Sequence, residues 1–410
     1  MASPSGTGRG NPVTVDLFSG PGGLSLGFQQ AGFTIGIGVE SDRASASTYS
    51  ENFPGASVLE SELEKVSASD IQNVLDRKFP RRSGSILIAG PPCQPFSNAN
   101  MHHKRKGGRH PSYSSVELFA KMLEEIYPEA FLFENVTTFE TLDDGKCMVA
   151  FVARMRKLGY SPLYTQLEAY NFGVPQHRRR LFIGAIRGSV RFRLPPKQQS
   201  IRVKERRLKT KGVSVRDAIS DLPVLPHGGG GTDSGEYGRI HDVLCVYQKR
   251  ARQHVVRLFN HWSSEHSKPV LDTIRRIPQG LSLLKVWDEL PLRIKNRYAN
   301  RENIQFNIYR RLSWGGISPT IVHPRRAMLL HPSQTRIISV REAARIQGFP
   351  DSFRFRGGID SQYQQVANAV PPPVATALAR IYRRYLSGIP QTMNDQRKRK
   401  SYTFERSLGV

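Results

Sequence analysis

A short segment around Cys93 is the part of the sequence best suited to covalent chemistry. Residues 89–100 read AGPPCQPFSNAN and follow the apolar run 85–88, which predicts a buried strand. The two prolines lack backbone donors and fix φ, so they end the strand and hold Cys93 at its tip, where doubly wound sheets place their chemistry. A lone free cysteine is more often a small buried hydrophobic residue. The Pro-Pro setting favours a presented thiolate instead.

Two further groups of chemically capable side chains follow other predicted strands. Glu134 comes directly after the apolar run 130–133, and an acid near a cysteine can donate a proton or bind a pyrimidine edge. Taken alone, an acid at a strand end is usually solvated or caps a backbone group. Arg178 and Arg180 leave the turn 171–180 two residues apart, so strand alternation predicts both on one face.

A glycine-rich turn, SGPGG, joins the first predicted strand, 12–18, to a helix beginning near Leu24. Such a turn lets the backbone approach a ligand in front of a helix N-terminus. It is neither the dinucleotide G-x-G-x-x-G nor a P-loop with its Lys-Ser/Thr pair. The second predicted strand, 34–39, ends on Glu40, where doubly wound folds bind a ribose. Together they favour an adenosine-bearing cofactor, with an ordinary tight turn and a surface acid as the alternative.

Composition limits the class of protein. The chain has 410 residues, 38% of them hydrophobic, which suffices for one large domain or two ordinary ones. Cys93, Cys147 and Cys245 form no CxxC pair, so we expect neither a disulfide framework nor a zinc site, and we expect a reducing cytosol. The sequence shows no membrane-spanning apolar run and no signal peptide. The net charge of +26, with 13 Lys/Arg and one acid over 178–211, predicts a polyanionic partner.

The remaining pattern predicts the elements that position these residues. Helices are expected at 44–52, 69–79, 115–126 and 146–158, and strands at 163–169 and 180–186. From Gly188 to about Tyr309 periodicity is lost, which indicates a separate loop-rich module with a basic surface for nucleic acid. Regular pattern returns with the segment 313–320, a helix at 340–347 and a closing helix ending at Tyr385. The fold class expected is therefore α/β with a doubly wound sheet.

Six motifs in one order resemble the cytosine-C5 DNA methyltransferases, from about Val13 to Tyr385. They are DLFSGPGGLSLGF (16–28), GPPCQPFS (90–97), ENV (134–136), QHRRR (176–180), SPT (318–320) with REAARIQGFPDSF (341–353), and QVANAVPPPVA (365–375). The resemblance implies a Rossmann-like catalytic domain dependent on S-adenosylmethionine. It also implies a smaller, loop-rich target-recognition domain. The implied limits are a disordered tail at 1–11, the catalytic domain at 12–187, the recognition domain at 188–309, a closing catalytic segment at 310–388 and a basic tail at 389–410.

The resemblance also implies the reaction and the residues that perform it. C5 of a flipped-out cytosine in double-stranded DNA is methylated, with Cys93 bonded to C6 and Glu134 acting at N3. Arg180, with Arg178 behind it, stabilises the anionic base and orients Glu134 or the thiolate. Phe18 is expected to stack on the adenine. The residues implied to bind S-adenosylmethionine are Phe18, Ser19, Gly20, Gly22, Gly23, Leu24, Glu40, Ser41, Glu62, Pro91, Asn368 and Val370.

Two positions depart from the family pattern. Ala367 stands where a Gly usually precedes the Asn of the last motif, and its methyl group is expected to crowd the methionine end of the cofactor. Glu62 is the nearest match to the Asp that commonly contacts the adenine. Neither position bears on the residues implied to perform the chemistry.

Three alternatives compete with DNA methylation. A branch of the family acts on tRNA, but the recognition region of about 120 residues favours DNA, because that branch has a reduced one. A catalytically inactive, DNA- or cofactor-binding regulator is disfavoured by the joint presence of Cys93, Glu134 and Arg180. An NAD-dependent oxidoreductase is disfavoured by the missing glycine fingerprint.

The expected partners follow from the same resemblance. They are double-stranded DNA and a restriction endonuclease, since prokaryotic relatives of this size commonly work beside one. We expect a monomer in the bacterial cytoplasm, associated with the nucleoid, without a metal and without a membrane.

Overall fold

The computed structural model describes residues 12–91, 111–189, 191–197, 212–226, 228–231, 235–236, 245–253, 255–298, 301 and 308–386. Within these ranges, only the backbone is described for 111–114, 230–231 and 235–236. Cys93 and most of the segment around it lie outside the described residues, as do the two predicted tails.

A mixed sheet of seven strands lies at the centre of the first of two compact units into which the chain divides. The strands are β1 Val13–Leu17, β2 Thr34–Glu40, β3 Ser57–Glu60, β4 Ser85–Ala89, β5 Ala130–Asn135, β6 Leu163–Glu168 and β7 Arg179–Ile186. Their order is β3-β2-β1-β4-β5-β7-β6, and β7 runs antiparallel to both of its neighbours. Strands β1, β4 and β5 are buried along their whole length, as their apolar runs predict for parallel strands covered on both faces.

Helices cover the sheet or build the second unit. Two short two-stranded sheets also lie in the second unit, formed by β8 Gly230–Gly231, β9 Gly235–Glu236, β10 Arg257–Leu258 and β11 His261–Trp262. The α-helices are α1 Gly23–Gln30, α2 Arg43–Asn52, α3 Ala68–Lys78, α4 Pro111–Ile126, α5 Lys146–Lys157, α6 Val215–Ile219, α7 Val246–Ala251, α8 Lys268–Arg275, α9 Leu292–Lys295, α10 Val340–Ile346, α11 Ile359–Asn368 and α12 Pro372–Leu386. Short 3-10 helices lie at Leu63–Lys65, Thr137–Thr141, Ala169–Phe172 and Leu283–Glu289.

Helix α12 belongs to the first unit although it is the last described element of the chain. A side chain at Gly27 of α1 would collide with Ala375, so the missing Cβ allows the two helices to pack closely. The Thr376 hydroxyl donates to Gln30 Oε1 at 2.8 Å, and the Tyr382 hydroxyl donates to the carbonyl of Phe131 in β5 at 2.6 Å. The first unit is therefore discontinuous in sequence.

The second unit contains the described parts of 169–178 and 212–371. Every residue of its helix α10 is buried, and this helix begins with a capping box between Ser339 and Glu342. Arg336 binds the same Glu342 carboxylate with two nitrogens, at 2.6 and 2.7 Å. This unit includes residues 310–371, which the sequence assigned to the catalytic domain. The division reflects packing, and the functional domain limits stay a prediction.

The α/β class with a doubly wound sheet is confirmed, and the local predictions differ from the structure at several places. Strand β3 was not predicted, because SVLE at the sheet edge is only half-buried and lacks an apolar run. Glu134 lies within β5 rather than beyond it. Arg178 precedes β7, so strand alternation with Arg180 does not apply to it. Among the described residues, no helix is long and apolar enough to cross a membrane.

Candidate active site

The carboxyl ends of the parallel strands bring the predicted site segments of the first unit to one edge of the sheet. Leu17, the last residue of β1, pairs with Val39 of β2 on one side and with Ala89 of β4 on the other. Ala89 in turn pairs with Phe133, the residue before Glu134. The glycine turn after β1, Glu40 at the end of β2 and Glu134 near the end of β5 thus lie at the carboxyl ends of the strands, where open α/β sheets bind ligands.

The glycine turn has three residues in a backbone region that favours glycine, and two of the three are glycines. Phe18, Gly20 and Gly22 have φ values of 55°, 53° and 100°, in the left-handed region. A Cβ on Gly22 would collide with the ring of Phe53, whereas a Cβ on Gly20 would meet no heavy atom of the described residues within 4 Å. The turn therefore leaves space beside Gly20, directly before the N-terminal end of α1 at Gly23.

Glu40 connects the end of β2 to this turn. Its Oε2 accepts the backbone N–H of Gly20 and its Oε1 that of Asp42, both at 2.8 Å. Burial raises the pKa of Glu40, and the two backbone donors oppose that rise. Each carboxylate oxygen has a second lone-pair direction, so Glu40 can accept ligand hydroxyls while it holds the turn.

Asp16 and Ser25, which flank the glycine turn in sequence, form with Tyr49 a buried polar cluster that was not predicted from the sequence. The Ser25 hydroxyl donates to Asp16 Oδ2 at 2.7 Å and lies 2.7 Å from the hydroxyl of Tyr49. Burial raises the pKa of Asp16 well above its usual range, and the hydrogen bond from Ser25 opposes this. The other Asp16 oxygen and the Ser19 hydroxyl have no hydrogen-bond partner within the described part of the chain. A charged residue inside the apolar run of β1 was the available signal.

Glu134 and Arg180 form an ion pair at the same edge of the sheet. The Arg180 Nε lies 3.2 Å from Glu134 Oε1, and the two side chains are 16% and 9% exposed. The antiparallel register of β7 with β5 produces this pair, because Glu134 lies opposite Phe182, two residues after Arg180. Arg180 also donates from Nη1 to the carbonyl of Arg179 at 2.8 Å. The guanidinium thus fixes the position of a largely buried carboxylate.

Arg178, Asn368 and Val370 lie in the second unit. Arg178 is buried, and its Nη2 donates to the backbone oxygen of Asn368 at 3.4 Å. Val370 is buried as well. The structure therefore joins two of these predicted residues through a backbone contact, and their roles toward a base or a cofactor stay predictions.

The other predicted cofactor residues are distributed around the strand ends. Ser41 is exposed, and Glu62 pairs with Lys65 at 2.7 Å on the surface. That surface partner lowers the pKa of Glu62. Leu24 is buried in α1, and Pro91 is buried and is the last described residue before the segment of Cys93.

The arrangement fits an adenosine-bearing cofactor. The space beside Gly20 and the acceptor Glu40 provide room and a polar group for a ligand with hydroxyls. In the ranges that the structure covers, no cluster of His, Cys, Asp and Glu suits a metal ion.

Comparisons with known proteins place the chain in a family. The family model for C-5 cytosine-specific DNA methylases matches residues 13–383, which confirms the resemblance noted in the sequence. DNA (cytosine-5)-methyltransferase 1B of rice, Oryza sativa subsp. japonica, is 30% identical over 90% of this chain, which spans 28% of that relative's length. The Type II methyltransferase M.AgeI of Thalassovita gelatinovora is 31% identical, with 89% of this chain and 98% of the relative covered. A prophage-encoded DNA modification methyltransferase from E. coli has the same fold, with a TM-score of 0.69 and 24% identity over 92% of this chain and 99% of that chain.

Proposed function

Because the chain belongs to the C-5 cytosine-specific DNA methylase family, we propose that it methylates C5 of cytosine in a specific sequence of double-stranded DNA. The observation that carries the proposal is the ion pair between buried Glu134 and partly buried Arg180, beside the strand that leads toward Cys93. Relatives that this chain covers almost completely are Type II methyltransferases, which supports a role beside a restriction endonuclease. The monomeric state and the location in the cytoplasm stay predictions.

S-adenosylmethionine is the proposed cofactor, and when bound it supplies a methyl group on a positively charged sulfur. Glu40 accepts the ribose hydroxyls through its remaining lone pairs, and Phe18 stacks on the adenine. Gly20 and Gly22 let the backbone approach the methionine part. Ser19, Gly23, Leu24, Ser41, Glu62, Pro91, Asn368 and Val370 complete the proposed set.

Cys93 activates the cytosine, since C5 of the ring is a poor nucleophile by itself. The thiolate sulfur bonds to C6, the electrons of the C5–C6 double bond become available at C5, and C5 takes up the methyl group as the methyl–sulfur bond of S-adenosylmethionine breaks, which leaves S-adenosylhomocysteine as a neutral thioether. A base then removes the C5 proton, the double bond reforms and the bond from C6 to sulfur breaks. Atoms and charge balance, and Cys93 is regenerated as a thiolate.

Glu134 and Arg180 serve the ring during this addition. Glu134 holds a proton at N3, where negative charge would otherwise accumulate. Arg180 keeps the carboxylate in place and adds positive charge beside the anionic base. A cytosine inside a duplex cannot be reached from both sides, so the reaction includes flipping of the target base out of the helix.

The test is covalent trapping on DNA that contains 5-fluorocytosine. Fluorine at C5 replaces the proton that the base must remove, so the bond between C6 and sulfur cannot break after methyl transfer. The covalent adduct, which forms only with S-adenosylmethionine, therefore persists on a denaturing gel and can be mapped to a peptide. We expect the adduct at Cys93 and its loss, together with methyl transfer, in Cys93→Ser. The half-buried Cys245 provides the matched control, since Cys245→Ser should keep both.

Each alternative has a distinct outcome. Full methyl transfer by Cys93→Ser would exclude this cysteine as the nucleophile. An adduct on structured RNA but not on DNA would favour the RNA branch of the family. An absence of adducts on both would favour a regulator without catalysis.

A further inference from the structure

Two buried glutamines in the second unit contact each other although 171 residues separate them in sequence. Gln176 and Gln347 are both 0% exposed, and the Nε2 of Gln176 donates to the Oε1 of Gln347. Burying two carboxamides is costly unless their donors and acceptors are paired. The mechanism described above uses neither side chain.

Gln347 binds the C-terminal end of α11. Its Nε2 donates to the carbonyl oxygens of Val366 and Ala369, at 3.2 and 2.8 Å. The last carbonyls of a helix have no donor within the helix, so the carboxamide satisfies two of them. Asn368 lies between these two contacts, and its own carbonyl accepts the Arg178 hydrogen bond.

The orientation of both carboxamides is determined by their partners. The Gln347 nitrogen is committed to two carbonyls, so its oxygen faces Gln176 and requires a donor there. The Gln176 oxygen accepts the backbone N–H of Ile321 at 3.2 Å, which directs its nitrogen toward Gln347. Reversing either group would place like atoms against each other. The series of hydrogen bonds that runs from Ile321 through the two carboxamides to the end of α11 therefore has only one possible orientation.

Gln347 itself is rigidly supported, because it follows directly after α10. Within α10, Arg345 binds the carboxylate of Asp351 with two nitrogens, at 2.5 and 2.6 Å, and both side chains are fully buried. A carboxamide on such a support can fix a neighbouring backbone segment.

We propose that Gln347, oriented by Gln176, is a positioning residue for S-adenosylmethionine. It fixes the end of α11 and with it the segment that contains Asn368 and Val370, two of the proposed cofactor residues. The inference rests on the proposed function, because the cofactor role of that segment belongs to it. Loss of the carboxamide lets the segment leave its binding arrangement, which weakens cofactor binding and leaves the chemical step intact once the cofactor is bound.

The first experiment is Gln347→Met in the full chain, since Met has a similar length and lacks the donors and the acceptor. We expect the Kd for S-adenosylmethionine, measured by calorimetry, to rise roughly tenfold, the effect of about one net hydrogen bond. The KM for the cofactor should rise in parallel. The kcat at saturating cofactor and the Kd for duplex DNA should change by less than about twofold, because neither depends on this segment once the cofactor is bound.

Tyr247→Phe is the matched control. The Tyr247 hydroxyl donates to the carbonyl of Arg345, so its removal costs one buried hydrogen bond but leaves the Arg345–Asp351 pair and both carbonyl contacts of Gln347 in place. We expect this variant to lose thermal stability and to keep the wild-type Kd for S-adenosylmethionine. A purely structural role for Gln347 would instead lower the stability of both variants and leave both Kd values unchanged.

Gln176→Met decides the matter if Gln347→Met does not fold. It removes the donor to Gln347 but leaves the two carbonyl contacts, so we expect a smaller rise in the Kd, about threefold. An unchanged Kd in whichever variant folds would overturn the inference. Failure of the wild-type protein to bind S-adenosylmethionine would overturn the proposed function instead.

Discussion

Replacing Glu134 by Gln and Arg180 by Met, singly and together, tests whether the two residues act as one unit in catalysis. Gln keeps the shape of Glu134 but cannot carry the exchangeable carboxyl proton. Met keeps the length of Arg180 and removes the guanidinium from the carboxylate. If Arg180 works mainly by holding Glu134, the double variant should be about as slow as the slower single variant.

The geometry sets the expected size of the effect. At 3.2 Å, two unit charges attract by about 5 kcal/mol when the effective dielectric constant is about 20. Glu134 is 9% exposed and Arg180 16% exposed, so the pair is largely but not fully buried, and removal of one partner should cost at most about 3–5 kcal/mol of folding stability. Loss of a general acid commonly slows a reaction by roughly 10²–10⁴-fold. We therefore expect the rate of methyl transfer in each single variant to be roughly 10²–10⁴-fold below that of the wild type.

The assay is a single-turnover transfer of a labelled methyl group to duplex DNA at saturating cofactor, so that chemistry is measured apart from product release. Arg187→Met is the matched control, since Arg187 pairs with Glu129 at 3.8 Å near the opposite ends of the same two strands. We expect this control to retain the wild-type rate within a few-fold. Losses that multiply in the double Glu134/Arg180 variant would refute joint action and assign the two residues separate roles.

Three further predictions follow from charge, backbone and burial. DNA affinity, measured by fluorescence anisotropy, should fall roughly 10³-fold or more between 50 and 200 mM salt if about six phosphates are bound, given the net charge of +26. Gly20→Ala should cost about 1–2 kcal/mol in folding because of its φ of 53°. It should also weaken S-adenosylmethionine binding at least about tenfold, because the methyl group enters the open space, whereas Gly55→Ala should not change binding. Burial lowers the pKa of His331 to about 4. The unfolded chain therefore binds a proton at this histidine below about pH 6.5, whereas the folded chain binds it only below about pH 4. Stability should fall by about 3 kcal/mol over that pH range, followed through the fluorescence of Trp314, whose ring lies 5.3 Å from that of His331.

Each of these has an outcome that contradicts it. DNA affinity that is equal at both salt concentrations would count against a basic binding surface. Equal cofactor affinity in Gly20→Ala and wild type would remove the ligand from that side of the turn. The His331→Gln variant should lose the part of the acid sensitivity that His331 contributes, while buried His261 and His323, whose pKa values are also lowered, keep theirs. An unchanged pH profile in this variant would show that His331 is not a titrating group.

The buried strands were predictable because their signal is local. The apolar run 85–88 corresponds to β4, which ends at Ala89, and burial on both faces leaves no other use for such a run. Strand β3 escaped prediction because an edge strand depends on its neighbour for hydrogen bonds more than on its own apolar residues. The start of β7 at Arg179 is likewise decided by pairing with β6 rather than by alternation along the chain.

The side-chain pairs were less accessible to sequence reasoning. Strand-end logic predicts that Glu134 lies near the edge where ligands bind, but its 3.2 Å contact with Arg180 depends on the antiparallel register of β7. The contact between Gln176 and Gln347 has no local signal at all, because it arises only when distant segments pack.

The late position of α12 affects how the protein can be made. During synthesis at about 5–20 residues per second, the ribosome needs roughly 10–45 s to proceed from Glu168 to Leu386. Throughout that time the face of α1 around Gly27 and the β5 carbonyl of Phe131 lack the partners that α12 provides. The first unit therefore completes its packing last, although most of it emerges first from the ribosome. Until α12 is made, the nascent chain exposes an apolar surface that can either bind chaperones or aggregate.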